Sequence, residues 1–151
     1  MLHRRAYRET SFLIDFFTRD FGRVSGVANG VRRKSKLPME PFVHTIFSWK
    51  DRTGLALITN HDIIQRNDLK GRHLYAGMYI NELICRTLRV NDPVELLFDA
   101  YETVMYSLHL AKPLEPSLRV FELALLQGLG YGLTFDVDAK SGSPIKKDCY
   151  Y

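Results

Sequence analysis

Apolar and polar positions alternate along the first third of the chain, and turn residues cut the alternation into short runs. Ser11–Thr18 (SFLIDFFT) is rich in aromatic and branched side chains over the length of a strand. Asp20-Phe21-Gly22 supplies turn chemistry, and Arg23–Ala28 returns with Val24 and Val27 as its apolar anchors. Gly26 inside this run predicts a bulge or bend, a device that helps to close a small barrel. Pro38 and Pro41 bracket a loop, after which Phe42–Trp49 reads as a further strand. The polar turn Lys50–Gly54 then leads into Leu55–Thr59. With Leu2–Tyr7 as the opening strand, the pattern predicts five short antiparallel strands, which suit a small β-barrel of the OB type.

From about Arg72 the period becomes helical. Ala76, Ile80, Ile84 and Leu88 form one i, i+4 row, with Tyr75, Tyr79 and Leu83 beside it and Glu82, Arg86 and Arg89 on the polar side. Asp92 as N-cap, Pro93 at the first helical position and Glu95 as the capping-box acid predict the start of a second helix. Its core face is Val94, Leu97, Phe98, Tyr101, Val104, Met105 and Leu108. A third helix opens near Glu115-Pro116, runs through Leu118, Phe121, Leu125 and Leu129, and ends at Gly128, Gly130 and Gly132. The predicted class is therefore α+β. An OB-fold barrel in residues 1–70 precedes an α-helical domain in 71–151, with a poorly structured tail after about residue 133. The polar stretch Asn67–Arg72 marks the boundary.

Composition adds that the chain is globular, with 46% hydrophobic and 25% charged residues. No run approaches the roughly 18 apolar residues that span a bilayer, and no apolar segment follows the basic start, so neither membrane insertion nor a signal peptide is expected. Cys85 and Cys149 lie far apart without CxxC spacing, which fits a reducing cytoplasm and offers no zinc site.

Charge changes the picture more. Residues 1–36 hold nine basic side chains (Arg4, Arg5, Arg8, Arg19, Arg23, Arg32, Arg33, Lys34, Lys36) against three acids (Glu9, Asp15, Asp20), a net of +6. The other 115 residues hold 12 basic and 14 acidic groups, a net of −2. One end of the molecule is thus suited to a polyanion. Arg32, Arg33, Lys34 and Lys36 fall within five residues of a loop after Gly30, where no local acid neutralises them. Such a loop resembles the phosphate-tracking edge of an OB barrel, and Arg5, Arg8 and Arg23 could continue the stripe. Of the aromatics nearby, Phe12, Phe16, Phe17 and Phe21 read mainly as core, while Tyr7, between Arg5 and Arg8, is placed to face outward.

Catalytic signatures are missing. The histidines at 3, 44, 61, 73 and 109 lack HExxH spacing and a pairing with Cys85. No serine has a G-x-S-x-G context, no Walker A lysine follows Gly30, and the aspartates are scattered. The chain reads as a binding protein that needs no cofactor, not as an enzyme.

Four ordered segments resemble one known family, the bacterial RecO recombination mediators. They are LHRRAYRETSFLIDFFTRDFGRVSGVANGVRRKS, LYAGMYINELICRTL, ELLFDAYE and PSLRVFELALLQGLGYGL, and together they span about 130 residues. The resemblance implies a cytoplasmic, nucleoid-associated protein that binds single- and double-stranded DNA and anneals complementary strands. It also implies work with RecR to load the RecA recombinase on DNA coated by single-strand-binding protein (SSB). The acidic, phenylalanine-ended SSB tail is expected on the helical part. Arg119 in PSLRVFE matches a family arginine that can meet the tail's carboxylates, although it could equally be an i, i+3 partner of Glu122 or an ordinary partner of Glu115. Relatives commonly exceed 200 residues, so the last helical part of the family is not in this sequence. Many also carry a four-cysteine zinc site after the LGYG turn, where this sequence offers only Cys149.

Overall fold

The computed structural model describes residues 1–29, 40–51 and 54–145. Five strands precede three helices: β1 His3–Tyr7, β2 Ser11–Thr18, β3 Gly22–Ala28, β4 Val43–Lys50, β5 Ala56–Arg66, α1 Gly71–Thr87, α2 Glu95–His109 and α3 Leu114–Gly128. The sheet order is β1-β2-β3-β5-β4. Its two edge strands approach each other, and the Met1 amine donates to the Val43 carbonyl (3.1 Å) while Phe42 N–H donates to the Met1 carbonyl (3.3 Å). The sheet is not otherwise closed between β1 and β4, which gives the partly open five-stranded barrel of an OB fold followed by helices.

The expectation of five antiparallel strands needs one correction: β3 and β5 run parallel, pairing Gly26 with Ala56 and Val27 with Leu57. Gly26 is accordingly not a bulge. It lies in regular register opposite Ile14, and a Cβ there would sit 2.8 Å from the Ala56 carbonyl oxygen. Glycine serves the close approach of β5. The irregularities fall instead in β4, at His44/Thr45 and Ser48/Trp49. Strand β5 also runs seven residues past the expected Thr59. Its distal half is held by the ladder to β4 and is largely exposed, so no apolar alternation marks it.

Two cores result. Ile14, Phe16, Val24, Ala28, Ala56 and Ile58 fill the barrel with Met1, backed by Phe47 and Trp49. The larger core joins Ile80, Ile84, Leu97, Val104, Leu108, Phe121 and Leu125 of the helices to Leu2, Phe17, Phe42 and Leu69 from the strand half. Each fully buried side chain of this size contributes roughly 1.5–3 kcal/mol. Asn81, buried in α1, donates from its amide to the Leu2 carbonyl (2.9 Å) and accepts from the Tyr101 hydroxyl (2.8 Å), tying both helices to the first strand. Burial pushes the Tyr101 hydroxyl well above the ordinary tyrosine range.

Two helical expectations change. Ala76, Ile80, Ile84 and Leu88 are buried, but of the neighbouring row Tyr75 and Tyr79 are exposed and only Leu83 packs against the core. Helix α2 starts at Glu95 with Val94 as its N-cap, and Asp92 makes no cap. The reason is tertiary: Val90 bridges Arg23, Asn91 N–H donates to the Arg23 carbonyl (2.8 Å), and the Asp92 carbonyl lies against Gly22. This connection is held along β3 before the helix can begin. After α3 the chain through Ile145 is exposed. It contains a turn in which Asp138 Oδ1 accepts from the Lys140 and Ser141 amides, with a bridge between Val137 and Pro144.

Candidate nucleic-acid interface

Strand alternation sorts the first three strands into two faces. Ile14, Phe16 and Val24 point into the barrel. The opposite face carries the register rows His3–Asp15–Ser25 and Arg5–Leu13–Val27, with Arg23 opposite Phe17 at its end. On this face lies an open hollow of about 340 Å³ lined by His3, Arg5, Leu13, Asp15, Arg23, Ser25 and Leu55, with Ile14 at its edge. Two of the cations singled out in the sequence, Arg5 and Arg23, therefore line one hollow, with Asp15 between them in the register. Arg5 is exposed and Arg23 half-buried. Arg23 Nε is buried without a hydrogen-bond partner among the described residues. Burial and then the nearby Asp15 carboxylate push the Cys85 thiol up, against the pull of Arg23, to which it is hydrogen bonded. Asp15 accepts from the Ser25 hydroxyl.

Arg8 sits apart, in the β1–β2 turn at φ +52°, with its guanidinium 5.1 Å from the centre of the half-buried Tyr7 ring. Arg32, Arg33, Lys34 and Lys36 lie outside the described residues. The last described position before them, Asn29, accepts from Ser11 Oγ (3.0 Å), and β3 ends with Ala28 opposite Phe12. Ala28 thus ends β3 at the same end of the sheet as the β1–β2 turn that holds Arg8. Arg4, on the barrel side, stacks over Phe12 (5.1 Å). Arg19 is given over to structure: it covers the Phe98 ring and pairs with Asp99 and Glu102 of α2. Of the aromatics, Phe16 and Phe17 are core, Phe12 is half-buried and Phe21 is exposed. Sequence reasoning missed His3, which only the register with Asp15 places on the cationic face.

A second cleft, about 440 Å³, separates β2 and β4 from α2. Its Arg19 is balanced by the acids of α2 and its His44 faces Glu102 at 3.6 Å, so it offers no surplus positive charge. No group of three or more His, Cys, Asp or Glu side chains able to hold a metal occurs among the described residues.

On the helical half, Arg119 is exposed and ion-paired with Glu122, one of the partners the spacing allowed. Glu122 also accepts from the Tyr79 hydroxyl (2.9 Å), an interaction that raises the pKa of that hydroxyl. Around this link Tyr75 and Met78 of α1 and Val120 and Leu123 of α3 are exposed.

Comparison with known proteins adds the following. Residues 1–67 match the family "Recombination protein O N terminal" and residues 69–151 match "Recombination protein O C terminal". The chain is 42% identical to the DNA repair protein RecO of Cellvibrio japonicus and 40% identical to that of Methylococcus capsulatus. The alignments cover all of this chain and 66% and 64% of those relatives, so the chain spans just under two thirds of their length. With both halves matched in order along one continuous sequence, the chain belongs to the RecO family of DNA repair and recombination proteins.

Proposed function

We propose that this chain captures DNA on the outer face of its barrel, as the DNA-holding part of a recombination mediator. The proposed interface comprises Arg5, Arg8 and Arg23 together with Arg32, Arg33, Lys34 and Lys36, and residues 1–70 form the DNA-holding unit. The observation that carries the reading is that Arg5 and Arg23 line one open hollow on the outer face of the barrel, where they outnumber Asp15. Cations at such a surface displace counterions from phosphate and bind single- or double-stranded DNA with little sequence preference. Two strands held on one cationic surface repel each other less, which is a physical route to annealing and needs no cofactor.

In the wider reaction, residues 71–151 serve as the protein-binding unit. Proteins with the chemistry of RecR, of the SSB tail and of the RecA pathway are its proposed partners. The exposed apolar side chains near Arg119 support such a role, since an acidic peptide ending in phenylalanine needs an apolar seat beside a guanidinium. A reading in which the helices bind this peptide and the barrel is only a scaffold rests on the same residues.

Fluorescence anisotropy with a labelled oligonucleotide over a range of salt concentrations tests the DNA reading. Arg32→Glu/Arg33→Glu/Lys34→Glu is expected to weaken binding to all sequences alike and to flatten the log–log salt slope by roughly one unit per lost phosphate contact. An unchanged slope removes the loop from the interface. Binding of an acidic Phe-ended peptide without any DNA binding at low salt favours the scaffold reading.

A further inference from the structure

The cationic hollow has a neighbour. A second open hollow, about 370 Å³, is lined by Phe21, Trp49, Asp51 and Asn91, and it shares Ser25 and Leu55 with the first. Side by side across Ser25 and Leu55 lie a hollow in which Arg5 and Arg23 outnumber Asp15 and one with two aromatic rings, Phe21 and Trp49.

The aromatic hollow is built rigidly. Phe21 is 52% exposed at the tip of the β2–β3 turn, where an apolar ring gains little from packing. Its N–H donates to Thr18 Oγ1 (3.1 Å), and Thr18 Oγ1 donates to the Gly22 carbonyl (3.1 Å). Gly22 takes φ +64° with the Asp92 carbonyl oxygen only 2.1 Å from where a Cβ would stand, so the turn is pinned by the α1–α2 connection. The Trp49 indole meets the Phe21 ring edge-on at 5.2 Å (83°) and donates from Nε1 to Asp51 Oδ1 (3.2 Å). From Trp49 the aromatic contact continues inward to Phe16 at 5.7 Å. An exposed Phe21 ring held by the half-buried Trp49, next to a hollow in which two arginines outnumber Asp15, fits a ligand that carries a flat π-system and an anion in alternation.

We propose that single-stranded nucleic acid crosses Ser25 and Leu55 with a base stacked on Phe21, whose ring Trp49 holds edge-on, and the adjoining phosphates along Arg5 and Arg23. The proposal deepens the DNA reading above and rests on it. Unpaired bases have a free face for such stacking, whereas duplex bases are already stacked on one another, so this site gives the barrel a preference for single strands that charge alone does not supply.

Trp49 is the only tryptophan in the chain, so its emission reports the site directly. The full chain is titrated at low salt with an oligothymidylate, with a duplex of equal length, and with inorganic polyphosphate, which has charge but no base. The oligothymidylate is expected to quench Trp49 as it binds, and polyphosphate to bind without quenching. Phe21→Leu, which keeps apolar bulk at an exposed position, is expected to weaken single-strand binding roughly tenfold and leave duplex binding unchanged, and Phe21→Tyr to restore it. Saturating single-strand binding with constant Trp49 emission overturns the proposal, as does an equal effect of Phe21→Leu on both forms of DNA. Failure of both DNA forms to bind overturns the DNA reading itself.

Discussion

Asn81 is one of two buried polar side chains among the described residues, and both ends of its amide are used across the two halves of the fold. Replacing it removes the amide and leaves the Leu2 carbonyl and the Tyr101 hydroxyl buried without partners. An unpaired buried polar group costs about 1–3 kcal/mol, so Asn81→Ala should lower stability by at least ~2 kcal/mol in urea titration. Nothing in the local sequence marks this role. Position 81 lies beside the Ile80 row, and an asparagine there reads as polar surface until its partners 79 and 20 residues away are in place.

At the scale of elements, the parallel meeting of β3 and β5 depends on Gly26. A methyl group there meets the Ala56 backbone, which cannot swing aside as a side chain could. Gly26→Ala should separate the two strands and cost about 1–3 kcal/mol, measured as a lowered urea midpoint. What could be read from the sequence follows the strength of local pattern. The i, i+4 row Ala76–Leu88 and the alternation in β2 predict buried faces correctly because burial and period coincide there. The outer half of β5 and the start of α2 were not legible. The first is held by cross-strand bonds without burial, and the second is displaced by bonds between residues 90–92 and β3. The interface was partly legible for a similar reason. Charge is visible in sequence, but the placing of Arg5 and Arg23 on one face needs the β1–β2–β3 register.

For the molecule as a whole, the barrel core is small, and strand residues Leu2, Phe17 and Phe42 belong to the helical core instead. The larger core is thus shared between the two halves, and losing either half exposes it. One cooperative transition is therefore expected. Trp49 emission, reporting the barrel, and far-ultraviolet circular dichroism, dominated by the helices, should give the same midpoint in urea. Separate midpoints would mean two independent folding units.

The seam between β1 and β4 bears on how the molecule behaves in a crowd. Beyond the Met1 bridge, the backbone groups of both edges have no strand partner among the described residues, and such edges are the template on which sheets of different molecules join. Arg4 and Arg5 on one edge strand and Lys50 on the other place positive charges on those edges, and Ile46 on β4 is an exposed apolar side chain that a docked edge would bury. The positive charge proposed to attract DNA thus also provides colloidal protection. High salt, or substitutions that neutralise β1, strip that protection from the seam along with the electrostatic attraction.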